Sequence, residues 1–171
     1  MFAAVEKGNA KELADLIRRD PGFDVNTKNG DGDTLLNHAC FISKDSVIPL
    51  LLAHPDIDVN MKGSNLLENP FMSASRGGHI SCVRLLLKDS RVQVNDSNKL
   101  GFTTLRNTSA FGHLEAIKWW IASGREMNLG TPGNYSTDAI GAAKREEKTE
   151  VVSLLERFKS DASKTRNEVR L

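Results

Sequence analysis

The dipeptide Val-Asn recurs at Val25-Asn26, Val59-Asn60 and Val94-Asn95, and Met127-Asn128 continues it, in steps of 34, 35 and 33 residues. Three further markers keep the same beat. Thr34, Asn69, Thr103 and Thr137 follow one another at 35, 34 and 34 residues. Gly78-His79 and Gly112-His113 stand 34 apart. Apolar runs recur at Leu50–Leu52, Leu85–Leu87, Trp119–Ile121 and Val152–Leu155. A fixed period of this length means one supersecondary unit copied along the chain, because a unit this small buries its apolar face only against a neighbour.

Each unit reads as two short helices and a turn. Thr34, Asn69, Thr103 and Thr137 are side chains that can accept from the free N–H groups of a first helical turn, which predicts four N-caps. Pro70 falls at the first helical position, where its missing N–H is no loss. The first helix is expected to end near Phe41, Arg76, Phe111 and Arg145, and Gly78 and Gly112 fit a tight turn with positive φ. The second helix carries the apolar run and stops before breakers such as Pro55 and Gly124. Polar turns such as Asn29-Gly30-Asp31-Gly32 then lead into the next unit. Five units are expected, at about 2–26, 27–60, 61–95, 96–128 and 129–158, with 159–171 a helical extension or tail. The polar second helix of the fifth unit (Lys148, Glu150, Glu156, Arg157) suits an end cap.

Composition narrows the class. Of 171 residues, 39% are hydrophobic and 26% charged, a globular balance rather than a disordered one. The net charge of +1 argues against a dedicated nucleic-acid binder. No apolar run approaches a membrane span. The start, Met1 to Lys7, has no basic segment leading into an apolar stretch, so no secretory leader is expected. Two cysteines, Cys40 and Cys82, give no disulfide framework, and the default compartment is reducing and intracellular, cytoplasmic or nuclear.

The pattern resembles the ankyrin repeat family, whose unit reads Gly-x-Thr-Pro-Leu-His, then Gly-His, then Val-x-x-Leu-Leu, then Asp-Val-Asn. Gly32-Asp33-Thr34-Leu35-Leu36-Asn37 and Gly101-Phe102-Thr103-Thr104-Leu105-Arg106 match the first motif in part. Gly78-His79 and Gly112-His113 match fully, and Val83–Leu87 and Asp58-Val59-Asn60 match well. The departures are Ser43-Lys44 for Gly-His, Leu67 for a turn glycine, Met72 and Arg106 for the motif histidine, and the polar Asn107-Thr108-Ser109 where two small apolar residues are usual. The resemblance implies an all-α solenoid of stacked helix-turn-helix units with hairpin-like tips. It also implies a non-enzymatic module that binds a protein or peptide on its concave face, as a monomer and without cofactor.

Mapped onto that motif, the tips and inner-helix ends supply the expected partner-binding residues Leu66, Glu68, Arg76, Lys99, Leu100, Phe102, Phe111, Tyr135, Lys144 and Arg145. Phe102, Phe111 and Tyr135 are expected to cluster, with Leu66 and Leu100 beside them, although Phe41 and Phe111 can equally fold into the core. Contiguous exposed apolar surface marks interfaces, and aromatic and Arg side chains supply most hot spots. Charge is graded along the chain. Residues 1–85 hold nine Lys/Arg and eleven Asp/Glu, and residues 86–171 hold fourteen and eleven. Such a gradient orients a partner more than it tightens it.

Other chemistries find little support. His38 with Cys40 and His79 with Cys82 lie in different units, at core and turn positions rather than ligand positions, so no metal site is expected. Gly130-Thr131-Pro132-Gly133 has no following Lys-Ser/Thr and is a turn, not a phosphate loop. Trp119 and Trp120 sit in an apolar helical run and are expected to pack, with one ring partly exposed. Two other functions remain open: a structural or regulatory appendage that packs on another domain, and a selected or designed binder on the same scaffold.

Overall fold

The computed structural model describes residues 1–169, and the last two residues of the expected extension, Arg170 and Leu171, lie outside them. Helices follow one another in pairs. The pairs are α1 (Phe2–Glu6) with α2 (Ala10–Arg19), α3 (Leu35–Phe41) with α4 (Ile48–Leu52, entered through a 3₁₀ turn), α5 (Pro70–Arg76) with α6 (Ile80–Leu87), α7 (Thr104–Ala110) with α8 (Leu114–Ser123), and α9 (Ala139–Arg145) with α10 (Thr149–Ser160). A last helix, α11 (Ala162–Glu168), follows. The first helices stack in one layer, α1 on α3, α3 on α5, α5 on α7 and α7 on α9, and α4, α6, α8 and α10 stack as a second. This is the all-α stack that the period predicts. The tips between units carry two isolated antiparallel bridges, Lys28 with Thr34 and Ser97 with Thr103.

The caps explain where the inner helices start. Thr34, Asn69 and Thr103 accept from the backbone N–H of Asn37, Met72 and Arg106. In the fifth unit the cap is Asp138, not the expected Thr137, and it accepts from Gly141. The reason is reach. The Asp138 carboxylate takes the N–H groups of both Gly141 and Gly133 at 2.8 Å, while the Thr137 hydroxyl accepts from Thr131 in the tip.

The turn between paired helices needs positive φ in every unit. Gly8, Gly78 and Gly112 supply it, and Ser43 and Glu147 adopt it at 59° and 55° in the second and fifth units. Leu67 at 53° does the same where a tip glycine is usual. A left-handed conformation costs a residue with a Cβ about 1–2 kcal/mol, so these three departures are local strain held in place by the stack.

Between units, side chains reach across to backbone that no helix satisfies. Asn26 donates to Asp56 O at 2.7 Å and accepts from Asp58 N at 2.8 Å. Asn60 repeats both bonds with Arg91 O and Gln93 N, and Asn95 repeats them with Glu126 O and Asn128 N. The turn histidines form a second series: His79 Nε2 donates to Phe41 O at 3.0 Å, and His113 Nε2 to Arg76 O at 2.7 Å. Arginines form a third. Arg91 donates to Leu52 O, Arg125 to Leu87 O and Asp89 O, and Arg166 of α11 to Ile121 O, so the last carbonyls of α4, α6 and α8 are each met from outside. In the core, Trp120 lies edge-on to Phe71 at 5.0 Å and donates its N–H to Glu126 O. Trp119 is the partly exposed ring, with Arg84 over its face at 4.1 Å.

Two outcomes test this account. Asn60→Ala removes a donor and an acceptor at one junction and is expected to lower unfolding free energy by about 1–2 kcal/mol in urea melts followed by circular dichroism. Glu147→Gly relieves the left-handed strain at the α9–α10 turn. It is expected to raise stability by about 0.5–1 kcal/mol, since the strain relieved exceeds the extra chain entropy of glycine. A fall in the melting temperature of Glu147→Gly would show that the turn is not strained.

Candidate functional site

The large hydrophobic side chains left exposed among the described residues are Phe41, Leu67, Leu100, Phe111 and Tyr135. All five lie at inner-helix ends or tips. Phe41 and Phe111, which had been equally free to turn inward, stay 54% and 56% exposed. Both sit where α3 and α7 end, and the helix face that buries Leu36 and Leu105 points away from them.

The ten expected binding residues fall into two neighbourhoods and two outliers. Leu66, Glu68, Arg76 and Lys99 line one open groove of about 480 Å³, together with Asp31, Asp33, His38 and Phe41. Glu68 does not face outward as expected. It is buried, and both its carboxylate oxygens accept from Arg76 Nε at 3.0 and 3.1 Å. Its task is to hold Arg76, whose side chain forms the groove wall. Burial raises the Asp33 carboxyl above its ordinary value; His38 and Lys28 oppose this and Asp31 adds to it.

The second neighbourhood is a stack across the fourth and fifth tips. Phe102 and Tyr135 meet edge-on with centroids 5.7 Å apart. The Arg106 guanidinium lies over both rings, at 4.2 Å from Phe102 and 4.9 Å from Tyr135, and Arg145 lies over Tyr135 at 4.8 Å. Leu100 is exposed on the same tip as Phe102. Phe111 is not part of this cluster; its ring stacks on His113 at 6.1 Å. Lys144 is paired with Glu156 at 2.7 Å. Sequence reading placed Arg106 only as a departure from a motif. Its signal was available in hindsight, as a cation one helical turn after an aromatic, but the buried guanidinium depends on Tyr135 arriving from the next unit.

Among the described residues no group of three His, Cys, Asp or Glu side chains could hold a metal ion. Burial pushes the Cys82 thiol up to about 11, with Asp45 adding to this, and raises the buried Cys40 well above its ordinary value, so neither is a ready nucleophile. No helix among the described residues is long and apolar enough to cross a membrane.

A family model described as ankyrin repeats in three copies matches residues 1–98. The chain belongs to the ankyrin repeat family. Beyond residue 98, His113 bonds to Arg76 O, Asn95 accepts from Asn128 N and α9 packs on α7, so the helical stack itself continues past the matched residues. Among curated relatives, a putative ankyrin repeat protein of Rickettsia bellii is 28% identical over 145 residues, 78% of this chain and 42% of that protein. Ankyrin repeat domain-containing protein 29 of Danio rerio is 32% identical over 71 residues, 42% of this chain and 24% of that protein. Alpha-latrotoxin-Lg1a of Latrodectus geometricus is 30% identical over 103 residues, 60% of this chain and 8% of that protein. The ankyrin chain thus spans less than half the length of each of these relatives.

The ankyrin junctions give a pH dependence with a defined sign. The Arg91 side chain, hydrogen-bonded to Asp89, holds the Asp89 carboxyl below its ordinary value of 3.8. Burial works to raise Asp138, but the Gly141 and Gly133 N–H groups and the Arg145 and Lys144 charges pull it below 3.8. Both carboxylates favour the folded state. Their contribution is complete above the ordinary aspartate value and is lost as pH falls through the lower native values. Melting temperature is expected to hold down to about pH 4 and to fall below it, less steeply in Asp138→Asn than in wild type. An identical acid limb in that variant would remove Asp138 from the account.

Proposed function

We propose that the chain is a non-enzymatic binding module that takes a protein or peptide partner across the concave face formed by the inner helices and tips. Ankyrin repeats are in general protein–protein interaction modules, and the repeat architecture brings no reaction chemistry with it. The observation that carries the finer reading is the placement of exposed apolar side chains. All five lie on the inner ends and tips, while the outer ends of α4, α6 and α8 are occupied by arginine-to-carbonyl bonds. The reading as an appendage docking through Trp119 has less support, because Arg84 already lies over that ring. On the proposed reading the module works as a monomer, without cofactor or metal, in a reducing compartment, and binds neither nucleic acid nor membrane.

The test compares wild type with Phe41→Ala and Phe111→Ala in affinity capture of the partner followed by calorimetric titration of it. Each substitution is expected to weaken binding by about 1–3 kcal/mol and to leave the melting temperature unchanged, because each side chain is more than half exposed in the free chain. Binding untouched by both substitutions, but abolished by a change at Trp119, would move the interface to the outer face.

A further inference from the structure

Arg106 is 8% exposed, yet among the described residues no carboxylate pairs with it. A buried cation is ordinarily paired, because desolvation of an unpaired one is costly. The same chain shows the ordinary solution one unit earlier, where Arg76 meets both oxygens of Glu68. Around Arg106 the two aromatic faces of Phe102 and Tyr135 take that role. A ring face stabilises a guanidinium without using its N–H edge. Of the five N–H groups, Nε donates to Tyr135 O at 3.2 Å and Nη1 to Asn107 Oδ1 at 3.1 Å. The Nη2 edge makes no hydrogen bond among the described residues.

We propose that this stack is an anchor for a carboxylate side chain, so that the partner is a peptide segment carrying Asp or Glu beside an apolar residue. The inference rests on the proposed function and specifies its ligand. The planar fork of Arg106 matches a carboxylate two oxygens wide, and the surrounding rings lower the dielectric in which the pair forms. Arg145 over the Tyr135 ring supplies a second positive group. Tyr135 and Leu100, 60% and 55% exposed, offer the apolar surface for the neighbouring residue. Local charge agrees, since residues 86–171 hold fourteen Lys/Arg against eleven Asp/Glu. A nucleic-acid strand is the less favoured occupant, because one guanidinium edge and a net charge of +1 neutralise few phosphates.

The experiment selects random peptides of about twelve residues, displayed on phage, against the immobilised full chain, and measures the best binders by fluorescence anisotropy. Selected peptides are expected to carry Asp or Glu, and replacing that residue by Asn or Gln is expected to weaken binding at least about tenfold. This substitution is in the peptide, so the fold of the chain does not enter. Arg106→Lys, which keeps the charge and loses the fork, is expected to weaken the same peptides by about three- to tenfold, with its melting temperature recorded alongside. Binders that lack a carboxylate, or that tolerate its replacement, overturn this inference and leave the proposed function standing. Recovery of no binder overturns both. Tighter binding of a single-stranded RNA of about twelve nucleotides than of any acidic peptide also overturns it, in favour of a phosphate ligand.

Discussion

Short stacked helices leave backbone groups unsatisfied at every junction, and the structure depends on side chains from the neighbouring unit to meet them. Each helix of an isolated hairpin has four free N–H groups at its start and four free carbonyl groups at its end. Here Asn26, Asn60 and Asn95 each bond one carbonyl and one N–H of the following unit. His79 and His113 reach the last carbonyls of the preceding inner helices. Each bond is worth only about 1 kcal/mol net, but it exists only when two units sit in register. The requirement therefore repeats with the unit, which is why the period is strict while most residues between the markers vary.

The same constraint sorts the surface. Positions that bridge units are fixed by their bonding, and positions at inner-helix ends and tips are released for contact with something else. Phe41, Phe111, Leu100 and Tyr135 belong to the released set and stay exposed. Glu68 and Arg76 belong to both sets: Glu68 is withdrawn into the structure so that Arg76 can form a wall of the groove. Charge placed at a tip is thus not free charge until its partners are known.

That distinction is also where sequence reading stops. The N-caps at Thr34, Asn69 and Thr103, the ends of the inner helices and the packing of Trp120 follow from residue type and spacing alone, because each is a local rule. The shift of the fifth cap to Asp138 depends on Gly133, in a tip whose path spacing does not specify. The burial of Glu68 depends on a side chain eight residues away, at the far end of α5. The role of Arg106 depends on Tyr135 in the next unit. The separate helix α11, whose Arg166 caps α8, depends on a contact 45 residues long. Residues fixed by their own unit were legible; residues fixed by the relation between units were not.

The polar interior of the inner layer ties these points together. Ser75 Oγ and Ser109 Oγ, one period apart in α5 and α7, are buried without a hydrogen-bond partner among the described residues, and Asn107 and Thr108 are buried beside Ser109. Thr108 recovers its bond only from Thr104 O on its own helix. An unsatisfied buried hydroxyl costs about 1–3 kcal/mol, so these two positions weigh against the packing of α5 on α7. Arg106, with which no carboxylate among the described residues pairs, lies in that same stretch. A stack whose stability is a sum of junction terms opens first where its junctions are weakest. A ligand seated on Phe102, Arg106 and Tyr135 bridges two tips at that place, and binding the folded form alone stabilises it by mass action. On the proposed reading, recognition and stability are coupled through that junction, because the ligand meets Arg106, with which no carboxylate of the described residues pairs.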